Sequence, residues 1–388
     1  MEWQLRPLDT LFFRGPLPFT AGETVFLPSE FPPSPQTIQG MVRTALLEAH
    51  GIDFDRFALD DFTAPACSLC TDAAVCQVPG IVGQPGSDLG TLDLRGPYLI
   101  HHDTRLYPAP DDLRWQHGII TRSAPGPAIQ CDAGRVRLPE AQGGTMSEWI
   151  TESGLITYLA GATPPSDQFK ATHSLLTPEP RVGLALDVAT RAAREGMLYS
   201  IAPVRLRDGV SLGVRVTGAR EPLLMQVPAT CRLGGEGRIV EVTPHQESSL
   251  PVPPTVEASL RATGRFRLLL LQPADFAGSW LPAGFTATEI DETTCWRGTL
   301  DGVALRIVVS CGGPPIAIGG WDMVKREAKA LRWCVPAGTV YYCELETGSD
   351  VQRVLQQFHD RKLGANAPMG FGHVVIGAWP ALEGGDAL

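Results

Sequence analysis

The chain has 388 residues, of which 44% are hydrophobic and 19% are charged, and its formal net charge is −10. This composition is typical of a globular protein, and the length favours two domains over one. No apolar run reaches the roughly 18 residues of a membrane-spanning helix. The acidic balance argues against a domain that is basic throughout, as dedicated nucleic-acid binders commonly are.

The first residues, MEWQLRPLDTLFFRG, lack a basic stretch followed by an apolar segment. We therefore expect no secretory signal, no membrane partner and a cytoplasmic location. The nine cysteines follow no regular framework, which argues against structural disulfides.

The clearest early element is a helix that follows a buried strand (3–14) and a loop rich in Pro and Gly (14–35). Ser34 is a candidate N-cap, and Pro35 suits the first helical turn. One apolar stripe follows at helical spacing: Ile38, Met41, Val42, Ala45 and Leu46. Gly51 is expected to end this helix.

Residues 62–180 hold many prolines and glycines and few periodic runs, which predicts a long irregular insertion in the first domain. Cys67 and Cys70 form a CxxC pair, and Cys76 and Cys131 could complete a structural zinc site. The alternative is that these cysteines are inert small hydrophobes. No other cofactor is expected. His101-His102-Asp103 resembles part of a metal site, but no further ligands stand at matching spacing, so a polar loop is the simpler interpretation.

Regular patterning returns in residues 181–218. Val182, Leu184 and Leu186 alternate as strand residues do, and Asp208-Gly209 predicts a hairpin turn that pairs VSLGVRV with MLYSIAPVRL. Seven arginines stand against three acidic residues between positions 181 and 220, so this segment is locally positive.

The second half begins after a Pro-rich linker or loop at 243–264. Residues 265–276 predict a buried strand, Asp350 is the candidate N-cap of a helix over 350–362, and 373–379 predict a final strand. Gly370-Phe371-Gly372 precedes that strand, and its glycines suit either a tight turn or a phosphate contact. The pattern predicts an α+β protein with antiparallel sheets, divided into domains at 1–242 and 265–388.

Five separated segments together resemble one family. They are PLDTLFFRGPLPF (7–19), FPPSPQTIQGMVRTALL (31–47), RVGLALDVATRAAREGMLYS (181–200), GGWD (319–322) and GANAPMGFGHVVIG (364–377). In this order they resemble the third subunit of the Cmr complex, the RNA-targeting type III-B CRISPR effector, which is a member of the RAMP superfamily.

The resemblance implies two ferredoxin-like (RRM-like) domains and a β-hairpin thumb at about 181–218. It implies a non-catalytic subunit of an antiviral ribonucleoprotein. Its partners would be the 5′ handle of the CRISPR RNA, the large polymerase-like subunit and the first backbone subunit. The thumb would approach the target RNA near the handle–spacer junction.

Carried over to this sequence, the resemblance implies three groups of RNA-binding residues. The first lies near the handle and comprises Arg14, Ser34, Gln36, Thr37 and Arg43. The second lies in the thumb and comprises Arg181, Arg191 and Arg194. The third is the glycine-rich loop of Gly370, Phe371, Gly372 and His373, in which Phe371 and His373 could stack on bases, although Phe371 could equally be a core residue.

Two alternatives remain open. The chain could be a CRISPR RNA-processing endoribonuclease of the same superfamily, for which His373 and His50 are the candidate general acid/base residues. It could also be the handle-binding subunit of another type III subtype, which would share most of these contacts.

Overall fold

A computed structural model describes residues 1–16, 26–52, 54–59, 78–86, 89–116, 119–131, 134–140, 143–145, 148–246, 249–346 and 350–379. Within these ranges the helices are α1 (Pro35–Ala49), α2 (Phe54–Ala58), α3 (Val78–Val82), α4 (Glu152–Leu159), α5 (Thr172–Leu175), α6 (Glu221–Met225), α7 (Pro254–Thr263) and α8 (Val351–Phe358). Short 3₁₀ turns lie at Ser166–Gln168 and Ala367–Met369. None of the described helices is both long and apolar enough to cross a membrane.

Strands dominate the chain. Those of the first half are β1 (Glu2–Pro7), β2 (Phe26–Pro28), β3 (Asp93–His101), β4 (Thr104–Pro108), β5 (Leu113–Gln116), β6 (Ile119–Arg122), β7 (Ala124–Cys131), β8 (Gly134–Glu140), β9 (Gly144–Thr145), β10 (Glu148–Thr151), β11 (Phe169–Ala171), β12 (Leu176–Pro178), β13 (Arg181–Leu186) and β14 (Ala193–Ala202). Those of the second half are β15 (Val204–Leu206), β16 (Val210–Thr217), β17 (Thr230–Arg232), β18 (Ile239–His245), β19 (Arg265–Leu270), β20 (Thr286–Ile290), β21 (Thr293–Leu300), β22 (Val303–Cys311), β23 (Ile316–Ile318), β24 (Trp321–Asp322), β25 (Glu327–Ala328), β26 (Arg332–Cys334), β27 (Val340–Leu345), β28 (Arg361–Lys362) and β29 (His373–Ala378).

Two large sheets organise the molecule. The first has eight strands in the order β11-β10-β4-β3-β16-β1-β18-β17, and every described pairing in it is antiparallel. The second has nine strands, with β28-β29-β19-β27-β22-β21-β8-β7 in a row and β20 beside β21. Its one described parallel pairing joins β8 to β21. The α+β class with mainly antiparallel sheets is therefore confirmed.

Each large sheet contains a four-stranded antiparallel centre. In the first sheet the centre is β3-β16-β1-β18, with α1 between β1 and β3 and α6 between β16 and β18 in the chain. In the second sheet it is β22-β27-β19-β29, with α8 between β27 and β29. When the four strands of each centre are numbered by their order in the chain, both centres have the same order across the sheet: second, third, first, fourth.

The cores show how the sheets are stacked. One face of the first sheet buries Trp3 and Leu5 against the apolar stripe of α1, and one face of the second sheet buries Phe266 against α7 and α8. A third cluster joins the two opposite faces, where Tyr158 of α4 and Tyr342 of β27 are both buried. The alternation of side chains along strands places one set of residues on each face, so each sheet is covered on both sides.

Three predictions differ from this structure. The insertion predicted at 62–180 is not irregular where the structure describes it, because β3 is a central strand of the first sheet and β7–β8 extend the second sheet; residues 62–77 lie outside the described part. Residues 254–263 of the predicted linker form α7. The Asp208-Gly209 turn does not connect two strands that pair with each other, because β16, the strand that follows it, pairs with β1 and β3.

The hairpin of this region lies earlier, at β13–β14. Gly183 pairs with Tyr199 and Leu184 with Leu198, while β2 adds a third strand alongside β14. Residues 181–202 are called the 181–202 hairpin below.

Candidate nucleic-acid interface

The N-terminus of α1 begins as the sequence predicts. Ser34 is the N-cap, and its hydroxyl accepts a hydrogen bond from the Thr37 backbone N–H at 3.3 Å. The two hydroxyls lie 3.1 Å apart. This cap satisfies one of the backbone donors that a helix start leaves without a partner. It uses Ser34 and Thr37, two residues for which the family resemblance implies RNA contact.

Beside this helix start lies a two-part hairpin, Ile316–Cys334, called the tryptophan hairpin below because it carries Trp321 and Trp333. Its base is the β23–β26 pair and its tip is the β24–β25 pair. The Lys329 N–H donates to the Gly320 carbonyl at 2.9 Å and links tip to base.

A chain of polar contacts connects the helix start to the tryptophan hairpin. Gln36 donates from Nε2 to the Gly319 carbonyl at 3.2 Å and accepts from Arg332 Nη1 at 2.6 Å. Gln36 is only 7% exposed. Because the side chain is nearly buried and its amide nitrogen and carbonyl oxygen each already bond within the protein, a hydrogen bond from Gln36 to RNA gains no support here and stays a prediction.

The same chain continues to the glycine-rich loop, Leu363–Gly372. The Arg332 guanidinium lies 3.7 Å from the Asp275 carboxylate, and Asn366 donates to that carboxylate at 2.8 Å. The Ala365 N–H also donates to the Asp275 carbonyl at 2.9 Å. Asp275 therefore holds the tryptophan hairpin and the glycine-rich loop together. We call the meeting point of the α1 N-terminus, the tryptophan hairpin and the glycine-rich loop the junction.

The end of the glycine-rich loop is packed inside the protein. Gly370, Phe371, Gly372 and His373 are all buried, and Phe371 is 0% exposed in a cluster with Ile318, Cys334 and Met369. The open question about Phe371 is thereby answered in favour of the core. Stacking of Phe371 or His373 on RNA is wrong for this conformation, since no base could reach either ring without displacing the loop.

The glycines of this loop serve close packing. A Cβ at Gly370 would lie 3.0 Å from the Gly96 carbonyl oxygen, and a Cβ at Gly372 would overlap the Leu363 carbonyl oxygen. Both residues have positive φ, 109° and 67°, which side chains rarely adopt. The conformational freedom of these glycines therefore lets the loop pack closely against β3 and against Leu363, its own first residue.

His373 takes part in a charged link between the two sheets. Its Nε2 lies 2.8 Å from Asp360 Oδ1, and the other carboxylate oxygen accepts from Arg95 at 2.6 Å and from Arg215 at 3.0 Å. Burial lowers the pKa of His373, and the Asp360 contact opposes that shift. Burial alone would raise the pKa of Asp360, but the His373 hydrogen bond and the two guanidinium charges hold it below its ordinary value.

Of two further predicted handle contacts, Arg14 precedes α1 in the chain and Arg43 lies within it. Arg14 is exposed, and its backbone bridges to Ser29. Arg43 is half-buried, donates to the Gln84 carbonyl at 3.3 Å, and has its guanidinium 5.3 Å from the centre of the Phe57 ring. Of the two, the exposed Arg14 is the better placed for an outside ligand.

The arginines assigned to the thumb lie along the 181–202 hairpin. Arg181 contacts the carboxylates of Glu179 at 3.1 Å and Asp9 at 3.7 Å, near its base. Arg191 is exposed in the turn and has φ 53°. Arg194 belongs to β14, but its side chain lies outside the described part of the structure. RNA contact by all three stays a prediction.

The predicted zinc ligands cannot be compared as a set. Cys67, Cys70 and Cys76 lie outside the described residues, and Cys131 is exposed at the end of β7. Across the ranges that are described, His, Cys, Asp and Glu form no group of three or more that could hold a metal ion. Zinc binding stays a prediction.

Sequence reasoning missed the residues that assemble the junction. Arg332 and Asp275 act between segments far apart in the chain, and no local pattern marks them. A signal for the tryptophan hairpin was present, because Lys325 and Lys329 are two of only four lysines in the chain and follow an exposed Trp321 within eight residues.

Four of the five segments that carry the family resemblance meet in this region. The 7–19 and 31–47 segments contribute Arg14 and the start of α1, 319–322 lies in the tryptophan hairpin, and 364–377 contains the glycine-rich loop. The fifth, 181–200, forms most of the 181–202 hairpin, which joins β2 next to them.

No curated protein sequence matches the chain. Among solved structures, a chain of the type III-B Cmr-beta complex bound to cognate target RNA and AMPPnP aligns with a TM-score of 0.49 and 14% identity, over 88% of this chain and 86% of that one. A chain of the Csm3-Csm4 subcomplex of the type III-A CRISPR-Cas interference complex aligns with a TM-score of 0.36 and 10% identity, over 88% and 92%.

The sequence model of one family, described as CRISPR-associated protein (Cas_Cmr3), matches residues 3–379. This match spans nearly the whole length and confirms the resemblance drawn from the five segments. The chain belongs to the Cas_Cmr3 family of CRISPR-associated proteins.

Proposed function

We propose that this chain is a non-catalytic subunit of a type III-B CRISPR ribonucleoprotein. It binds the 5′ handle of the CRISPR RNA and bridges the large polymerase-like subunit to the first backbone subunit. The observation that carries the proposal is that four of the five family-like segments, 31–47, 319–322, 364–377 and the described part of 7–19, lie together at or beside the junction, although they are separated by up to about 350 positions in the chain.

The strand order supports the finer part of the fold prediction. An antiparallel centre ordered second-third-first-fourth, with helices after the first and third strands, is the ferredoxin-like arrangement. The first sheet has both helices, α1 and α6. The second has α8 after its third strand, and residues 271–302 between its first two strands contain β20 and β21 instead of a helix. We therefore interpret both halves as ferredoxin-like, the second in a modified form.

The charge distribution supports an RNA contact that is local. The molecule is acidic overall, yet arginines concentrate in 181–220 and cationic side chains in 325–332. A surface of this kind attracts phosphate over a short range, because charges beyond about 10 Å are screened at ordinary salt.

The endoribonuclease alternative receives less support. A general acid or base must reach the RNA, but His50 is 2% exposed and His373 is 6% exposed. His373 is also engaged by Asp360. Neither imidazole is placed to exchange a proton with a ligand on the surface.

The test is recovery of the chain from its native host with an affinity tag, followed by sequencing of the bound RNA and identification of the bound proteins. The proposal predicts RNAs that share one 5′ end, together with a large polymerase-like subunit. Bound RNA with scattered 5′ ends, or no RNA, would contradict it. Metal-dependent RNA cleavage by the pure chain would favour the endoribonuclease alternative.

A further inference from the structure

The tryptophan hairpin exposes two large aromatic rings. Trp321 is 54% exposed and Trp333 is 53% exposed. Trp333 pairs with Ala317, while the alternate residues Ile318 and Cys334 are buried against the glycine-rich loop. Because successive strand residues point to opposite faces, the packing of the inner face fixes Trp333 on the outer one.

The tip that carries Trp321 is also held in place. The Asp322 carboxylate accepts hydrogen bonds from the Val324 N–H at 3.0 Å and the Lys325 N–H at 2.9 Å. The Lys329 link to Gly320 closes the other side. An aromatic ring on a fixed backbone loses little conformational freedom when a ligand binds it.

Four cationic side chains lie in the same hairpin as these rings. Within Ile316–Cys334 there are two lysines and two arginines against Asp322 and Glu327, and the Asp322 carboxylate is engaged by backbone N–H groups. Burial lowers the pKa of Lys329, Asp322 opposes the shift, and the nearby Arg332 and Arg43 charges add to it. The side of the hairpin toward α1 is therefore locally positive in an acidic protein.

We propose that the tryptophan hairpin binds unpaired RNA, with bases stacking on Trp321 and Trp333 and phosphates paired with Lys325, Arg326 and Lys329 of the same hairpin. Aromatic rings interleaved with cations are the combination by which proteins hold single-stranded nucleic acid. The inference rests on the proposed function, to which it adds the chemical mode of RNA binding and the residues that carry it.

The charges favour RNA over a protein partner as the occupant. The cores of protein–protein interfaces are depleted in lysine, whereas Lys325 and Lys329 are half of all lysines in this chain. Exposed Met323 and Leu331 add apolar surface to the same hairpin, so a protein partner is the competing outcome of the test.

The experiment compares two probes of about twelve nucleotides, an oligoadenylate RNA and an abasic RNA of equal length, by fluorescence anisotropy at one salt concentration. The full-length variants are Trp321→Ala, Trp333→Ala, the double variant with alanine at both positions, and a second double variant with phenylalanine at both positions. Trp115→Ala is the matched control, because Trp115 is 42% exposed but belongs to β5, in a separate three-stranded sheet. Unfolding midpoints equal to that of the unchanged chain show that each variant is folded.

We expect each alanine substitution to weaken oligoadenylate binding about tenfold and to leave abasic RNA binding nearly unchanged. The phenylalanine pair should retain most of the affinity, and Trp115→Ala should bind like the unchanged chain. Equal affinities for the unchanged chain and the alanine double variant would overturn the inference while the proposed function stands. An equal loss of affinity for both probes would also overturn the inference. So would an alanine double variant that keeps its RNA affinity but loses a protein that co-purifies with the unchanged chain.

Failure of the proposed function has a different signature. In that case the unchanged chain binds neither probe and carries no RNA with a shared 5′ end from its host. The inference then falls with it.

Discussion

Arg267 donates from Nη1 to the Asp112 carboxylate across 3.0 Å, and both side chains are completely buried. Tyr158 and Tyr342 each donate a hydroxyl to the same carboxylate at 2.8 Å. Arg267 also donates to the carbonyls of Tyr158 and Ala378. The pair thus lies within a polar network between the two sheets, in which neither charge is left alone.

Removing one member of this pair should be costly. We expect Asp112→Asn to lower the free energy of unfolding by about 3–5 kcal/mol, because the Arg267 charge stays buried without its counter-ion. Adding Arg267→Met should recover part of the loss. Denaturant unfolding measures the free energy of unfolding of each variant. The control is Arg261→Gln, which breaks an exposed pair with Glu257 and should lower the free energy of unfolding by less than about 1 kcal/mol. Equal losses in the two single variants would refute the role of the network.

The loop glycines differ in how much space surrounds them. Gly372 and Gly237 have nearly equal φ values, 67° and 64°, but a Cβ at Gly237 would meet nothing within 4 Å. We expect Gly237→Ala to cost about 1 kcal/mol from backbone strain alone. Gly372→Ala should cost several kilocalories per mole more, because the methyl group overlaps a carbonyl oxygen. Thermal unfolding compares the two variants, and similar midpoints would show that the loop can move away.

Acid should weaken the link between the sheets. The folded pKa of His373 lies below its ordinary value of 6.5, so the unfolded chain binds more protons as the pH falls. This contribution to stability is present above about pH 6.5 and is lost as the pH drops toward the folded pKa. The contribution of Asp360, whose pKa is also lowered, is lost at lower pH still, below about pH 4.

Unfolding free energies measured from about pH 7 to about pH 5 should therefore fall less steeply in His373→Gln than in the unchanged chain. Exposed His245 provides the control, and His245→Gln should keep the original slope. His50 and His359 are also buried with lowered pKa values, so part of the slope persists in every variant. Identical slopes for His373→Gln and the unchanged chain would count against this account.

The arginines of the 181–202 hairpin can be tested through salt. Arg181→Ala combined with Arg191→Ala should weaken CRISPR RNA binding and flatten its salt dependence, by about one unit of the log–log slope for each phosphate that the variant no longer binds. Arg261→Ala removes a surface arginine from α7 as a control. Binding curves at about 50 to about 200 mM salt give the slope. An unchanged slope would remove these two residues from the RNA contact.

Elements that depend on neighbouring residues could be predicted from the sequence. The start of α1 at the Ser34 cap and the start of α8 at the Asp350 cap are both confirmed, because each cap bonds to a backbone N–H two or three residues later. The final strand is confirmed as β29. These elements follow from local spacing and capping chemistry, which a single sequence displays.

The failures involve partners distant in the chain. Asp208-Gly209 does form a turn, but the next strand pairs with residues near positions 2–5 and 93–101, and a turn signal cannot reveal that. The sequence leaves Phe371 undecided, because a glycine-rich loop has the same sequence whether it lies open or packed. Only the contact with Ile318 and Cys334, more than thirty positions earlier, decides between them.

The cluster shared by the two sheets has a consequence for how the halves of the chain are held. Tyr98, Leu155 and Tyr158 from the first half are buried with Leu269, Val309 and Val375 from the second. The angle between the halves is therefore set by packed side chains, and the segment that connects them takes part, because Leu250 is buried in the same cluster. We expect the two halves to keep one fixed orientation, which would also fix the separation between the junction and the 181–202 hairpin.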